Sequence, residues 1–374
     1  MPAQNRINMS IKKVIISGGG TGGHIFPAIA IANRIKKEFP DSEILFIGAE
    51  GRMEMTRVPE AGYKIIGLWI SGFQRRITVK NLFLPFKIVA SLLKARKIIK
   101  NFKPDVVIGV GGYASAPTLK IASMLNIPTI IQEQNSYPGK TNKFLSKKAT
   151  KVCVAYEGLE AFFPAHKIVL TGNPVRTQVV QIEGLKEKGF THFKLDPNKK
   201  TVLVVGGSLG AKTLNESFVD KLKIIQENNI QLIWQCGSYQ HDDLKLRTAD
   251  LDMTGIVLTR FINEMELAYA TADIIVSRAG AIAISELCII GKPTVLVPSP
   301  NVAEDHQTKN AMALVNDNAA ILVKDVEARE KLVPRLMELM KNPEEQKELS
   351  DKIQKRAISN ADERIVNVIK SIMA

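Results

Sequence analysis

The sequence predicts an α/β protein built from two Rossmann-like, doubly wound domains that face a cleft. Three observations lead to this prediction. Apolar, β-branched strands alternate with helical patterns along both halves of the chain, which is typical of parallel sheets. A strand, a glycine-rich turn and a helix follow one another near the start of each half. The chain has 374 residues, more than a single hydrophobic core usually supports.

The first domain is predicted to span residues 11–172 and to contain six strands. After its glycine-rich turn, apolar residues at Ala28, Ile31, Ala32 and Ile35 have the spacing of a helix that faces a core. The predicted strands are Val14–Ser17, Glu43–Ile47, Val106–Val110, Pro128–Ile131, Lys151–Ala155 and Ile168–Thr171.

The second domain is predicted to span residues 201–354, after a polar interdomain linker at 173–200. Helices are expected to follow from Val326, and the last of them, about 355–374, is expected to pack back on the first domain. The predicted strands are Thr201–Val205, Gln231–Gln235, Ile256–Thr259, Ile274–Ser277, Thr294–Val297 and Ala320–Val323.

The two glycine-rich turns predict two phosphate sites. They are Gly18–His24 and Gly206–Gly210. Glycines let backbone N–H groups approach an anion, and the N-terminus of the following helix adds partial positive charge. The first turn also matches a dinucleotide fingerprint, with Glu50 placed where a ribose-binding acid would lie. A second glycine turn has no obvious use in a protein with one NAD or FAD, so two phosphorylated substrates are favoured.

Polar residues follow several strands of the first half. His24 begins the first helix, where it could be a general base, a phosphate ligand or a plain helix-start residue. Tyr113 follows a glycine pair, and Gln132–Asn135 follows the next strand. Glu133 could itself act as a base, and the alternative for this segment is a polar turn with caps.

The second half offers a helix start at Ser277–Ala281, with Glu286 one to two turns further on. A helix N-terminus there suits a diphosphate, and the carboxylate suits two ribose hydroxyls. Asp305–Asn310 begins another helix, where polar residues are usually caps. The Asp-x-Asp sequence at 250–252 follows a polar stretch rather than an apolar strand, so no metal site is expected. Arg176 or Arg278 would then neutralise a diphosphate.

The net charge of +14 is unevenly placed. Between Glu60 and Asp105 the chain has ten Lys and Arg residues and no acidic residue. Basic and aromatic residues together favour contact with an anionic membrane surface over a solvated basic helix at about 82–101. Nucleic acid is not expected, because no recognition motif accompanies the charge. Neither a transmembrane helix nor a signal peptide is expected. The predicted membrane residues are Trp69, Phe73, Arg75, Arg76, Lys80, Phe83, Phe86 and Lys87.

In this order and spacing, the motifs resemble glycosyltransferase family 28, and within it the UDP-N-acetylglucosamine transferases of bacterial cell-wall synthesis. The resemblance covers essentially the whole chain. The matching segments are Gly18–His24 with Pro27, Gly111–Tyr113, Glu133–Asn135, Gly172–Arg176, Gly206–Ala211, Ser277–Ala281 with Glu286, and Asp305–Asn310.

The resemblance implies a two-domain GT-B fold and an inverting, metal-independent transfer without a cofactor. N-acetylglucosamine would pass from UDP-N-acetylglucosamine (UDP-GlcNAc) to the C4 hydroxyl of lipid I, the undecaprenyl-diphosphate-linked muramyl pentapeptide. The products would be lipid II and UDP. The implied location is the cytoplasmic face of the plasma membrane, as a peripheral protein. Implied partners are both substrates, the anionic membrane and other cell-wall and division proteins.

The resemblance also implies roles for single residues. His24 is the leading candidate base and Glu133 the second. Gly18, Gly19, Gly23 and Tyr113 would bind the acceptor. Residues implied for UDP-GlcNAc are Gly20, Thr21, Gly22, Asn135, Arg176, Ser208, Ile262, Arg278, Ala281, Glu286, Gln307 and Asn310. Among them, Glu286 would hold the ribose, the backbone at Ile262 the uracil, and Ser208 and Arg176 the diphosphate.

Three departures from the family pattern stand out. Gln132 occupies a position where many relatives have His, Ile282-Ala283 replaces a frequent Thr, and Thr308 replaces a second Gln. Two other functions stay open on the sequence alone. One is a UDP-N-acetylglucosamine 2-epimerase or another lipid glycosyltransferase, and the other is a non-catalytic membrane scaffold.

Overall fold

The computed structural model describes residues 11–71, 84–207 and 209–373. Internal contacts divide the chain into two units, residues 1–175 with 359–374, and residues 176–358. Several predicted site residues lie outside the described residues, namely Ser208 and the membrane residues Phe73, Arg75, Arg76, Lys80 and Phe83.

The first unit contains a seven-stranded, wholly parallel sheet. All six predicted strands are present, and β3 is an additional one. The strands are β1 (Lys13–Ser17), β2 (Glu43–Ala49), β3 (Lys64–Leu68), β4 (Val106–Gly109), β5 (Thr129–Glu133), β6 (Lys151–Val154) and β7 (Ile168–Leu170). The helices are α1 (Gly22–Glu38), α2 (Glu54–Glu60), α3 (Leu84–Phe102), α4 (Ser115–Met124) and α5 (Lys140–Ser146).

The second unit contains a six-stranded parallel sheet with all six predicted strands. They are β8 (Lys200–Val205), β9 (Ile230–Gln235), β10 (Ile256–Thr259), β11 (Ile274–Ser277), β12 (Thr294–Leu296) and β13 (Ile321–Leu322). The helices are α6 (Thr177–Val180), α7 (Lys186–Phe193), α8 (Lys212–Val219), α9 (Leu222–Glu227), α10 (His241–Arg247), α11 (Met265–Thr271), α12 (Ala281–Ile290), α13 (His306–Val315), α14 (Ala328–Met340) and α15 (Pro343–Gln354). The segment predicted as a linker carries α6 and α7, which pack against α11.

The last helix, α16 (Ala361–Met373), packs against α1 in the first unit. Its side chains Ile365 and Ile369 share a buried core with Ile31 and Ile35 of α1. An ion pair between Arg34 and Glu363 (3.3 Å) and another between Lys370 and Glu38 border this contact.

The strand orders place both glycine turns at comparable points of the two sheets. The first sheet has the order β3-β2-β1-β4-β5-β6-β7 and the second has β10-β9-β8-β11-β12-β13. The order reverses between β1 and β4 and between β8 and β11. Connections that leave such a pair of strands diverge to opposite faces, so a crevice opens at the carboxyl ends. The glycine turns follow β1 and β8, directly at these two crevices.

Candidate active site

The first glycine turn presents an open helix N-terminus. Thr21 is the N-cap of α1, whose first turn has no acidic residue. The N–H groups of a first helical turn, here including Gly22 and Gly23, have no partner within the helix and attract anions. Gly20 has φ 87°, and no described atom lies within 4 Å of where its Cβ would be. Gly18 is instead closely packed, because a Cβ there would lie 2.1 Å from Val110 Cγ2.

A buried carboxylate, Glu54 of α2, is hydrogen-bonded to the backbone of this turn. Its Oε2 accepts a hydrogen bond from the Gly20 N–H (2.7 Å) and its Oε1 accepts one from the Ala49 N–H (3.0 Å). Only 1% of Glu54 is exposed. Sequence reasoning missed this residue, since nothing local indicates a partner that lies 34 residues earlier.

His24 is hydrogen-bonded to the same turn. Its Nδ1 lies 3.0 Å from the Gly19 carbonyl oxygen and 3.4 Å from Thr21 Oγ1. A carbonyl oxygen can only accept, so Nδ1 carries the proton and the lone pair of the neutral ring is on Nε2. The ring packs against Gly111 after β4, where a Cβ would come within 2.8 Å of Nε2. Tyr113, two residues further on, is half exposed.

Glu133, at the end of β5, is buried and accepts four hydrogen bonds. They come from the Asn135 N–H and Nδ2, the Gly139 N–H and Asn142 Nδ2, at 2.8 to 3.3 Å. Burial raises the pKa of Glu133, and these bonds oppose the shift. The carboxylate thus orders the chain between β5 and α5. The neighbouring Gln132 is also buried and donates to Asn173 Oδ1 (2.9 Å).

The second glycine turn combines an open position with a tight backbone contact. No described atom lies within 4 Å of a Cβ placed on Gly207, which has φ 86°. At Gly210 (φ 90°) a Cβ would lie 2.2 Å from the Cys236 carbonyl oxygen, and at Gly237 it would lie 2.0 Å from the Gly210 nitrogen. The turns after β8 and β9 therefore touch through two glycines, of which sequence reasoning identified only Gly210.

A second helix N-terminus, that of α12, lies at the crevice between β8 and β11. Its N-cap is Gly280 and its first residue is Ala281, and no acidic residue occurs in its first turn. The side chain of the neighbouring Arg278 is held in place by three contacts. Its Nη1 donates to the carbonyls of Val297 (3.0 Å) and Pro298 (3.1 Å) and forms an ion pair with Asp325. The structure therefore places Arg278 in a network that supports the loop. Sequence reasoning missed Asp325.

Glu286 of α12 is buried beside Tyr269, and the exposed Arg176 lies close enough for its charge to act on the carboxylate. The Tyr269 hydroxyl donates to Glu286 Oε2 (3.2 Å). Burial raises the pKa of Glu286, while the positive charge of Arg176 and the bond from Tyr269 oppose the shift. Burial also raises the pKa of Tyr269. The structure brings together the two predicted residues, Glu286 and Arg176, and adds Tyr269.

The start of α13 reaches the same crevice. Asn310 is fully buried and its Nδ2 lies 3.5 Å from the Ala279 carbonyl oxygen, while Gln307 Oε1 accepts from the Ser299 N–H (2.8 Å). The two residues before α13, Glu304 and Asp305, have φ values of 54° and 52°. Consecutive left-handed residues other than glycine are strained, and such strain concentrates at functional sites.

Ile262 lies beyond the end of β10 and is buried. It lines a cavity of about 410 Å³ together with residues of α7 and of the segment 257–264. Asp250 and Asp252, by contrast, are exposed and precede the amino end of β10, at the edge of the sheet opposite the glycine turn. Within residues 11–71, 84–207 and 209–373, no three His, Cys, Asp or Glu side chains are grouped as a metal site.

One face of α3 exposes apolar side chains beside basic ones. Phe86 and Leu93 are 68% and 64% exposed, and Ile88 and Val89 are exposed between them. Lys87 Nζ lies 5.4 Å from the ring centroid of the half-exposed Trp69. In the described parts of the chain, no helix has both the length and the apolar character of a membrane span.

Comparisons with known proteins agree with this architecture. The N-terminal domain model of glycosyltransferase family 28 matches residues 14–154 and the C-terminal domain model matches residues 201–365. The chain is 55% identical over 361 residues, 96% of its length and 97% of the relative's, to the UDP-N-acetylglucosamine–N-acetylmuramyl-(pentapeptide) pyrophosphoryl-undecaprenol N-acetylglucosamine transferase of Cytophaga hutchinsonii.

Among solved structures, MurG of Acinetobacter baumannii matches 96% of this chain and 99% of its own, with a TM-score of 0.78 and 30% identity. The UDP-GlcNAc 2-epimerase of Neisseria meningitidis matches 96% of this chain and 99% of its own, with a TM-score of 0.67 and 16% identity, which shows a shared fold only. Fold alone therefore does not separate the two activities, whereas the sequence identities do. The chain belongs to glycosyltransferase family 28.

Proposed function

We propose that this protein transfers N-acetylglucosamine from UDP-GlcNAc to the C4 hydroxyl of the muramyl sugar of lipid I, with inversion, to give lipid II and UDP. The observation that carries the proposal is the 55% identity, over 96% of the chain, to a relative named for this transfer. Two open glycine turns at two sheet crevices support it, because each substrate contains a diphosphate.

On the donor side, the diphosphate binds at the turn Gly206–Gly210, with Ser208, and at the N-terminus of α12 beside Gly280 and Ala281. Arg176, whose charge also acts on Glu286, neutralises it, and Arg278 pairs with Asp325. Glu286 accepts hydrogen bonds from the ribose hydroxyls. The backbone at Ile262 pairs with uracil, and Gln307 and Asn310 orient the sugar. Charge that develops on the leaving UDP is stabilised by these preorganised dipoles and the arginine.

On the acceptor side, the diphosphate of lipid I binds the N–H groups at the start of α1, next to Gly18–Gly23 and Tyr113. The acceptor O4 attacks C1 of N-acetylglucosamine as the bond from C1 to the phosphate oxygen breaks. UDP leaves with the bonding electrons, and the O4 proton passes to Nε2 of His24. The protonated Nδ1 of His24 stays bonded to the Gly19 carbonyl.

The geometry favours His24 over Glu133 as the base. Glu133 is buried and its two oxygens already accept four hydrogen bonds, whereas Nε2 of His24 bears the lone pair. His24→Ala should lower kcat by about 10²- to 10⁴-fold and remove the limb of the pH profile that reports the base. Glu133→Gln should keep that limb. Loss of the limb in Glu133→Gln but not in His24→Ala would reverse the assignment.

The exposed apolar face of α3, with Trp69, Lys87 and the basic residues around it, docks on the cytoplasmic face of the anionic plasma membrane. There the undecaprenyl chain of the acceptor stays in the bilayer while its sugar is presented to the enzyme. About 1 kcal/mol per basic residue near the surface adds to the burial of the aromatic side chains.

The decisive experiment mixes purified protein, UDP-GlcNAc, a short-chain lipid I analogue and excess EDTA. UDP release that depends on the acceptor, together with the disaccharide product, would support the proposal. Free N-acetylmannosamine formed without acceptor would instead identify an epimerase. The absence of turnover with an acceptor that a known transferase accepts would favour the scaffold.

A further inference from the structure

Glu54, one peptide group and His24 form a continuous chain of hydrogen bonds. The Gly20 N–H donates to Glu54 Oε2 (2.7 Å), and the Gly19 carbonyl accepts from His24 Nδ1 (3.0 Å). This N–H and this carbonyl belong to the same planar peptide. The carboxylate and the imidazole are therefore joined through a single rigid group.

We infer that Glu54 is a positioning residue that acts on His24 through the Gly19–Gly20 peptide. The inference rests on the proposed function, in which His24 is the base. When a carboxylate accepts a hydrogen bond from an amide N–H, it polarises that amide. The amide carbonyl then accepts a stronger hydrogen bond, here the one from His24 Nδ1. The stronger bond keeps the proton of the neutral ring on Nδ1 and stabilises the imidazolium that forms when Nε2 takes the O4 proton. No proton passes through the peptide.

The surrounding glycines leave room for the Glu54 carboxylate and the Gly19–Gly20 peptide. A Cβ on Gly19 would lie 2.1 Å from Glu54 Cδ, and one on Gly48 would lie 2.6 Å from Glu54 Cγ. A Cβ on Gly112 would lie 2.4 Å from the Gly19 carbonyl oxygen. Larger residues at these positions would displace the carboxylate or the peptide.

Anion binding alone does not explain Glu54. A buried negative charge behind an anion-binding turn repels the diphosphate, and it occupies the Gly20 N–H that would otherwise serve the ligand. No ion pair of Glu54 occurs in the described parts of the chain to offset that charge. A turn built only to bind phosphate would be better served by a neutral acceptor. The carboxylate therefore has a different role. Its hydrogen bond to the Gly19–Gly20 peptide connects it to His24, the proposed base.

The tautomer of His24 tests this series of hydrogen bonds independently of turnover. In ¹⁵N-histidine-labelled protein, the His24 signals are identified by their loss in His24→Gln. We expect the neutral wild-type ring to carry its proton on Nδ1. Glu54→Gln replaces one acceptor oxygen with a donor, so we expect a mixture of tautomers. Glu60→Gln, which removes an exposed carboxylate from the same helix, should leave the spectrum unchanged. An unchanged Nδ1 tautomer in folded Glu54→Gln would overturn the inference.

Kinetics separate a role through His24 from a general structural role. We expect Glu54→Gln to lower kcat by about 10- to 100-fold, as when the partner that orients a metal-bound histidine is lost. The KM for the acceptor should not rise, because the substitution removes a negative charge that repels the diphosphate. In a His24→Ala background the same substitution should change kcat by less than about threefold, because the two act as one unit. Equal losses in both backgrounds, or a loss confined to KM for the acceptor, would contradict the inference.

Two further controls keep the outcomes distinct. If Glu54→Gln does not fold, the smaller Glu54→Asp, which keeps the charge but draws it back from Gly20, should shift the tautomer in the same direction. An unchanged tautomer in Glu54→Asp would then count against the inference. If His24→Ala keeps full kcat, the proposed base is wrong, while the spectrum still decides whether Glu54 acts on His24.

Discussion

At the scale of single residues, the buried carboxylates Glu133 and Glu286 have opposite surroundings. Glu133 accepts four hydrogen bonds from the loop that follows it and from α5. In the described parts of the chain Glu286 accepts one, from Tyr269. Glu286 therefore keeps capacity for two ligand hydroxyls. A carboxylate held in this way costs stability in the absence of ligand.

Glu286→Gln should weaken the enzyme and stabilise the fold at neutral pH. Burial raises the pKa of Glu286 in the folded protein. The contribution of Glu286 to the stability of the fold is therefore fully present below the pKa of the unfolded state, and it is lost as the pH rises through the pKa of the folded state. We expect kcat/KM for UDP-GlcNAc to fall by about 10²-fold. We also expect the variant to resist urea better than wild type at pH 7.5, with the difference shrinking towards pH 4.5.

The exposed Glu227→Gln provides the matched control, since this residue pairs only loosely with Lys223 (3.9 Å). Its urea midpoint should follow wild type at both pH values. A Glu286→Gln variant that is less stable than wild type at pH 7.5 would show that the carboxylate is needed for folding.

Sequence reasoning identified the residues that lie in local motifs and missed those defined by distant contacts. His24, Glu286 and the glycine turns belong to short strand–turn–helix patterns that can be identified in one segment. Glu54 and Asp325 are recognisable only through partners that are 34 and 47 residues away. For the same reason the pairing of Arg278 with Asp325 was not predicted.

At the scale of elements, strand β3 was missing from the prediction. It is an edge strand that starts with Lys64 and contains Gly67, and its Ile65 and Ile66 are only half buried. An edge strand pairs on one side and packs less fully, so its apolar pattern is weak.

Helix α3 allows a prediction about membrane binding. Phe86→Ser combined with Leu93→Ser removes two side chains that are more than half exposed. We expect binding to anionic vesicles to weaken by about tenfold or more, because burying each such side chain is worth about 1.5 to 3 kcal/mol. Turnover of a water-soluble, short-chain acceptor should stay within about twofold of wild type.

Vesicle cosedimentation measures this, with Leu246→Ser as the control. Leu246 is 78% exposed on α10 of the second unit, and its loss should not change vesicle binding. Equal binding by the α3 variant and wild type would exclude this face as the membrane surface.

At the scale of the whole molecule, the two units have separate cores. Trp234 and Leu336 belong to the core of the second unit, while Ile31 and Ile369 belong to the first. The pattern of strands and glycine turns predicted this duplication well. The strand orders could not be obtained from the sequence, because register and neighbour choice depend on contacts between distant segments.

Separate cores predict separable effects on unfolding. A ligand of one unit stabilises that unit by about 2.7 kcal/mol at 100 times its Kd. UDP should therefore protect amides of β8 and β11 from hydrogen exchange more than those of β1 and β4. Ile369→Ala should destabilise the first unit by about 2 to 5 kcal/mol, and Leu336→Ala the second by a similar amount. Loss of protection in β8 and β11 caused by Ile369→Ala would contradict separate cores.

The return of α16 to the first unit has a consequence for biosynthesis. The ribosome first makes the strands of the first unit, then the whole second unit, and only then α16, the helix that packs on α1 of the first unit. At usual translation rates this delay is roughly 10 to 40 s. During that interval Ile31 and Ile35 lack the apolar cover that α16 provides, so a chaperone has time to bind the nascent chain there. The domain that is synthesised first is thus completed last, the reverse of the usual order of folding from the N-terminus.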